Sequence, residues 1–226
     1  MTVPQVLARL DELRRAPAAR DGSRARRRLR ELASAGPPAV PAVALRALAR
    51  RLGRQHRLAL ALWATGDSDA RRLATLVDVP ARVDDDQLDH WVQTAGDASL
   101  VDQVCLGLVL ATPWARSKVG DWARHPQPLV RRAAYVLLRV LARTDRGMTD
   151  ADFVPWVDAV PSSAPREAPV VREAMVAALA AIGRRNAFLR ERVAATSARL
   201  RRMAASAEGP SPLVLRASAN DWLRAG

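Results

Sequence analysis

Apolar residues recur at helical spacing along most of the chain. In residues 3–15 they are Val6, Leu7, Leu10 and Leu13. A second short helix is predicted over residues 23–34, and the turn-forming sequence "GPPAVP" at 36–41 follows it. Beyond this joint, apolar segments of helical period alternate with turn residues as far as residue 203. The pattern therefore predicts an all-α protein.

A pair of helices, one short and one long, recurs three times in this pattern. The short segments carry Trp91, Trp122 or Trp156, and the long ones open with Val101-Asp102, Val130-Arg131 or Val171-Arg172. This order is typical of HEAT repeats, whose pairs stack into a curved array with the long helices on the concave side. We therefore expect an α-solenoid of HEAT-like helical repeats, with a compact helical bundle as the alternative.

Composition supports a helical chain. Alanine, leucine and arginine dominate and are strong helix formers, while only 4% of the 226 residues are aromatic. We expect a single helical-repeat domain over residues 1–226. Within it, the sequence predicts basic helices at 1–35, the HEAT-like core at 38–203 and a C-terminal helix or tail at 204–226.

The chain is strongly basic, with a formal net charge of +13 and Lys118 as the one lysine among 36 basic residues. Such a protein attracts polyanions, nucleic acid first and acidic membranes second. The N-terminal sequence lacks the apolar core of a signal peptide, and no uncharged apolar run is long enough to span a bilayer. We expect no membrane partner and a cytoplasmic location, at the nucleoid of a bacterial cell.

The sequence offers little to metal or serine-hydrolase chemistry. Cys105 is the one cysteine, so no internal disulfide forms and a reducing compartment fits. His56, His90 and His125 lie far apart in the sequence, and none has metal-ligand spacing to Cys105. No glycine-rich phosphate loop or GxSxG motif occurs. We therefore expect neither a metal nor a cofactor.

The long helix that starts at Val130 separates apolar from basic side chains. One half of it carries the apolar residues Ala133, Ala134, Leu137, Leu138 and Leu141. The opposite side carries Arg132, Arg139 and Arg143 almost in line. A row of guanidinium groups suits a phosphate backbone, since each can donate paired hydrogen bonds; a solvated face is the alternative. The candidate DNA contacts are Arg132, Arg139, Arg143, Arg131, Lys118, Arg184 and Arg185.

The last long helix has a different outer side. Its predicted buried stripe consists of Val171, Met175, Ala178 and Ile182. The opposite side carries Glu173, Ala177, Ala180 and Arg184. Because alanine can neither hydrogen-bond nor stack, we expect the middle of that surface to be smooth.

One acid, Asp102, lies near the start of the helix predicted over residues 100–110. A carboxylate in a first helical turn is stabilised by the helix dipole and the free amide groups, so a capping role is one interpretation. Asp97 and Ser99 could equally cap this helix. The alternative is that Asp102 is the working carboxylate of a site.

Residues 38–203 resemble the AlkD-like DNA alkylation repair family, which are HEAT-repeat alkylpurine DNA glycosylases. The resemblance lies in "ALRALARRLGRQHRLALALWATGDSDARRLATL", in "LDHWVQ" followed by "LVDQVC", in "GDWA" followed by "VRRAAYVLL", and in "VVREAMVAALAAIGRRN". It implies a HEAT-repeat fold that binds double-stranded DNA.

The resemblance also implies roles for particular residues. Asp102 corresponds to the catalytic acid of the family, and Arg132 to an arginine that holds a phosphate. The chain departs from the family at Ala98, Ser99, Ala177 and Ala180, where the family has tryptophan, aspartate, tryptophan and arginine. The tryptophans that the chain does have, Trp63, Trp91, Trp122 and Trp156, are predicted to pack in the core.

Three functions are compatible with these features. The chain could be an N-glycosylase that removes cationic N3- or N7-alkylpurines, with Asp102 stabilising the oxocarbenium-like sugar. It could instead be a catalytically reduced relative that binds damaged or branched DNA. The third is a HEAT scaffold for an acidic protein partner. We expect a DNA-binding member of the family that acts as a monomer.

Overall fold

The structure is a computed structural model that describes residues 1–15 and 39–206. The helix predicted over residues 23–34 lies outside the described residues, as does the predicted tail after residue 206. The described residues form α-helices and three short 3-10 helices, with no strand among them. The all-α prediction is confirmed.

Two compact units make up the chain. The first comprises Met1–Ala95 and Gly107–Thr112. Its helices are α1 (Val3–Arg15), α2 (Ala42–Leu52), α3 (His56–Ala64), α4 (Ser68–Val77) and α5 (Asp85–Thr94), with 3-10 turns at Pro80–Arg82 and Val109–Ala111.

The second unit comprises Gly96–Leu106 and the residues from Pro113 onward. Its helices are α6 (Ala98–Gly107, of which Gly107 falls in the first unit), α7 (Ala115–Ala123), α8 (Pro128–Thr144), α9 (Asp150–Ser163), α10 (Pro169–Gly183) and α11 (Ala187–Ser206), with a 3-10 turn at Ala164–Arg166. The helix predicted over 100–110 therefore begins two residues earlier and ends at Gly107. None of the helices described is both long and apolar enough to cross a membrane.

The three predicted helix pairs are present, but the second helix is clearly longer only in the pair α7 and α8, with 9 and 17 residues, whereas α5 and α6 have 10 residues each. Trp91 lies on α5 before α6, Trp122 on α7 before α8, and Trp156 on α9 before α10. A further pair, α3 and α4, also carries a tryptophan, Trp63, on its first helix, although α4 opens without the Val-Arg motif. The predicted apolar sides of α8 and α10 are buried, and the two helices pack against each other.

Core packing is confirmed for three of the four tryptophans named above. Trp63, Trp91 and Trp122 are buried, and the rings of Trp63 and Trp91 stack with centroids 4.2 Å apart and planes inclined by 4°. The prediction is wrong for Trp156, which is only half-buried. Its ring contacts Tyr135 edge to face at 6.2 Å, because only one side of α9 is covered at this position.

One arginine ties α1 to the start of α4. Arg14 donates from Nη2 to Asp67 at 2.7 Å and from Nε to Asp69 at 2.8 Å. Asp67 also caps α4 by accepting the Ala70 N–H at 2.8 Å. Partial burial raises the pKa of Asp67, but the hydrogen bonds from the Ala70 N–H and the Arg14 guanidinium lower it by more. The net result is a pKa below the usual value of an aspartate.

Candidate nucleic-acid interface and its carboxylate

The N-terminus of α6 is capped by Asp97. Its Oδ1 accepts the backbone N–H of Leu100 at 2.9 Å, which is the geometry of an N-cap. Asp102 lies in the second turn, after the amide groups that need capping. The capping interpretation of Asp102 is therefore wrong, and this carboxylate is available for another contact.

That contact is a two-pronged ion pair with Arg132 of α8. Nε donates to Oδ1 and Nη2 donates to Oδ2, each at 2.8 Å. The side chain of Asp102 keeps 26% of its surface exposed, whereas that of Arg132 keeps 10%. The hydrogen bonds from Arg132 to Asp102 are the main reason why the pKa of Arg132 is raised above its usual value. The pair fixes the orientation of the carboxylate and leaves one edge of it open to solvent.

Arg132 also reaches α10. Its Nη1 donates to the backbone oxygen of Val170 at 2.9 Å and to Glu173 Oε2 at 2.8 Å. These four hydrogen bonds occupy four of the five N–H groups of the side chain. Asp102, Arg132 and Glu173 thus form a cluster in the second turns of α6, α8 and α10. We call it the acidic cluster, because two carboxylates share one guanidinium.

The prediction that Arg132 lies on the exposed side of its helix is wrong. The residue is 8% exposed, because α8 is covered on two flanks and Arg132 faces α10 on one of them. A guanidinium that is already used in this way holds Asp102 in place. It has one N–H left for a phosphate.

Toward the C-terminus of α8, the side of the helix that carries Arg132 becomes more exposed. Arg139 is half-buried and Arg143 is exposed. Arg143 and Arg184 line a cleft of about 400 Å³ between the C-terminal parts of α8 and α10. Within the described residues, Arg139, Arg143 and Arg184 make neither a hydrogen bond nor an ion pair with another side chain. We call these three residues the open arginine row.

The remaining candidate DNA contacts are engaged inside the protein. Arg131 donates to Glu167 and to the backbone oxygens of His125 and Pro126, at 2.7–3.0 Å. Lys118 is 1% exposed, and its Nζ lies 5.8 Å from the centroid of the Trp122 ring. Arg185 donates to the backbone oxygens of Ala142, Asp145 and Met148. Because these groups already have protein partners, they fit structural roles better than phosphate contact.

The surface next to the acidic cluster is made of small side chains. Ala177 and Ala180 of α10 are half-buried, and so is Ala98, one turn before Asp102 on α6. The smooth surface predicted on the last long helix is therefore confirmed. On the other side of Asp102, one turn later on α6, Leu106 is 46% exposed.

One further titratable group lies below Asp102. Cys105 is fully buried on the next turn of α6, and its Sγ lies 3.8 Å from the backbone oxygen of Ala133. Burial, and secondarily the charge of Asp102, raises the pKa of this thiol. The described residues contain no group of histidine, cysteine and carboxylate side chains that could hold a metal ion.

Sequence reasoning missed Glu173 as a member of the cluster. Helical period places it correctly on the exposed side of its helix, where its side chain is 74% exposed. A usable signal existed, because Arg132 and Glu173 occupy equivalent second-turn positions of successive long helices. Side chains at equivalent positions of stacked repeats lie next to each other.

Comparison with known proteins gives two matches of different kinds. A family described as "DNA alkylation repair enzyme" matches residues 30–207. A solved structure described as "A new family of proteins related to the HEAT-like repeat DNA glycosylases with affinity for branched DNA structures" superposes with a TM-score of 0.75 at 18% identity. The match covers 88% of this chain and 83% of that chain, and it shows a shared HEAT-like helical fold. Among the curated proteins, none matches the chain.

Proposed function

The chain belongs to the DNA alkylation repair enzyme family, and from this premise we propose that it binds DNA through the open arginine row. The observation that carries the proposal is the contrast among the arginines of α8 and α10. Arg131, Arg132 and Arg185 are held by protein acceptors, whereas Arg139, Arg143 and Arg184 have no partner among the described residues.

A DNA backbone supplies the acceptors that these groups lack. Each guanidinium can donate two parallel hydrogen bonds to one phosphate, and its charge releases condensed counterions when it binds. The net charge of +13 adds attraction at longer range. A cleft with two arginines on its rim can receive one phosphate between them.

The proposed ligands include branched DNA. The description of the solved structure names a new family of proteins related to the HEAT-like repeat DNA glycosylases, with affinity for branched DNA structures. We extend that property to this chain as part of the proposal, with duplex DNA, alkylated or not, as the simpler ligand. Affinity for each ligand falls steeply as the salt concentration rises, because the phosphate counterions must be displaced.

A second function, excision of a cationic alkylpurine, is favoured by the geometry of Asp102. This carboxylate is fixed by two hydrogen bonds, is partly exposed, and has the small residue Ala98 one turn before it on α6. Each of its oxygens keeps a lone pair that Arg132 does not use. Such a group can stabilise positive charge that develops on a sugar.

Excision of a cationic alkylpurine consumes only water. The bond between C1′ of the deoxyribose and the purine nitrogen breaks, and its electron pair neutralises the cationic base, which leaves. Asp102 stabilises the resulting oxocarbenium-like sugar until water adds to C1′ and releases its proton. The positive charge of Arg132 partly neutralises the Asp102 carboxylate and so weakens its attraction for the cationic sugar. In return, the two hydrogen bonds hold the carboxylate in a fixed position.

The test of excision is the formation of abasic sites in alkylated duplex DNA, with small methyl adducts and bulky purine adducts assayed side by side. Asp102→Asn is expected to lower the rate by about 100-fold or more. Asp97→Asn is the matched control, because it makes the same change beside the same helix and asparagine also caps well. Equal release by the parent and Asp102→Asn contradicts the catalytic role; binding without release by either identifies a catalytically reduced protein.

A further inference from the structure

The first unit carries another group of exposed arginines, on α2 and near the start of α3, most of which have no side-chain partner among the described residues. Between Ala42 and Gly66 the sequence has five arginines and no acidic residue. These are Arg46, Arg50, Arg51, Arg54 and Arg57, and all five are exposed. We call them the α2–α3 basic surface.

Only one of the five is engaged by the described part of the protein. Arg54 donates from Nη1 to the backbone oxygen of Asp78 at 2.6 Å. Within residues 1–15 and 39–206, the side chains of the other four make no hydrogen bond or ion pair. Some exposed arginines elsewhere are paired with acids, such as Arg9 with Glu12, Arg116 with Asp145 and Arg192 with Asp158. Others, such as Arg82 and Arg146, have no side-chain partner among the described residues. What distinguishes the α2–α3 basic surface is that its five arginines lie in a stretch of 25 residues that contains no acidic residue.

Helix electrostatics explain only part of it. Arg50 and Arg51 lie in the last turn of α2, where the helix dipole favours cations. Arg57 is the second residue of α3, at the end where the dipole disfavours a cation. Arg46 and Arg50 are four residues apart, a spacing at which like charges repel. The helix dipole therefore does not account for Arg46 or Arg57.

The opposite side of α2 is anchored, so the basic side cannot rotate away. Leu45 and Leu48 are buried and fix the helix against the first unit. An external polyanion would supply the negative charge that residues 42–66 lack.

We propose that the α2–α3 basic surface is a second DNA-binding surface, which contacts the phosphate backbone separately from the open arginine row of the second unit. This inference rests on the proposed function, because it takes DNA as the polyanion. Each guanidinium donates to phosphate oxygens and reads no base sequence. A DNA molecule that reaches both surfaces binds more tightly than one that reaches only one of them, through the effective concentration of the second contact.

The experiment compares two full-length variants that lose the same three positive charges. The first is Arg46→Gln, Arg50→Gln and Arg57→Gln, which removes arginines without partners. The matched control is Arg9→Gln, Arg116→Gln and Arg192→Gln, which removes arginines from ion pairs. Circular dichroism melts confirm that both variants fold. Affinity for an undamaged duplex and for a four-way junction is then measured across a range of salt concentrations.

The α2–α3 variant is expected to lower the slope of log affinity against log salt by about 3, and the control by less than about 1. Equal slopes for the two variants, while the parent binds DNA, overturn this inference and leave the proposed function intact. A parent that binds neither DNA overturns both. Loss of binding to phosphatidylserine vesicles with an unchanged DNA slope also overturns the inference, since the surface then serves a membrane.

Discussion

Asp102 and Arg132, which are 30 residues apart in the sequence, are joined by two hydrogen bonds of 2.8 Å between α6 and α8. The arginine is buried and the carboxylate is partly exposed. This asymmetry gives the two residues different tasks. Arg132 holds a position inside the protein, and Asp102 keeps an oriented carboxylate that is partly open to solvent.

Removing the guanidinium of Arg132 is expected to destabilise the fold. Arg132→Gln leaves Asp102, Glu173 and the Val170 oxygen without their shared donor, at a cost of about 2–4 kcal/mol in the free energy of unfolding. Urea unfolding followed by tryptophan fluorescence measures it. The double variant with Asp102→Asn is expected to cost less than the sum of the single variants, since they remove the same contact. Strict additivity would show that the pair carries no coupling energy.

Glu173 is expected to weaken DNA binding in the parent protein. Its carboxylate is 74% exposed on α10, which also carries Arg184 of the open arginine row, and it repels phosphate. Glu173→Gln therefore raises affinity for duplex DNA at low salt by about 2- to 5-fold, and the gain shrinks as salt screens the charge. Glu191→Gln, which changes an exposed glutamate on α11, is the control. If both variants gain the same affinity for DNA, the gain comes from the change in net charge and not from the position of Glu173.

The reactivity of the Cys105 thiol measures whether α6 and α8 stay packed together near the acidic cluster. Cys105 is fully buried and the pKa of its thiol is raised, so we expect a disulfide reagent at pH about 8 to modify it about 100-fold more slowly than in urea. Arg132→Gln is expected to speed the reaction, because it loosens the contact between α6 and α8. Rapid modification of the folded parent would contradict the packing described.

Acid is expected to loosen α1 from α4. The pKa of Asp67 is lowered in the folded state, so its stabilising contribution is complete above the unfolded-state pKa of about 4 and is lost as the pH falls through the lower folded-state value. Unfolding free energies between pH about 6 and about 3 check this. Asp67→Asn is expected to flatten the fall, since asparagine keeps the cap but does not titrate. An unchanged pH dependence in this variant would assign the acid sensitivity to other groups.

The sequence is sufficient for those features that a repeating pattern controls. The apolar stripe of α8 and the small outer side of α10 follow from helical period, and the Trp-bearing pairs identify the repeat. The pair α3 and α4 escapes recognition as a repeat, because α4 opens with "SDARR" and lacks the valine.

The position of Arg132 could not be predicted from a single helix. A helical projection assumes one buried side, whereas α8 packs against both α7 and α10. The second neighbour covers Arg132 and supplies Val170 and Glu173 as acceptors. The packing of neighbouring helices therefore decides which arginines are paired and which are open. Amino-acid composition alone does not predict this.

The most direct measurement of DNA binding by the open arginine row is its salt dependence after the row is neutralised. The variant Arg139→Gln, Arg143→Gln and Arg184→Gln is compared with Arg9→Gln, Arg116→Gln and Arg192→Gln, whose arginines are paired. We predict that the first variant loses about three of the ions released on binding duplex DNA, and that the second loses less than about one. If the first variant binds DNA with the affinity and salt slope of the parent, the open arginine row is not where this protein meets DNA.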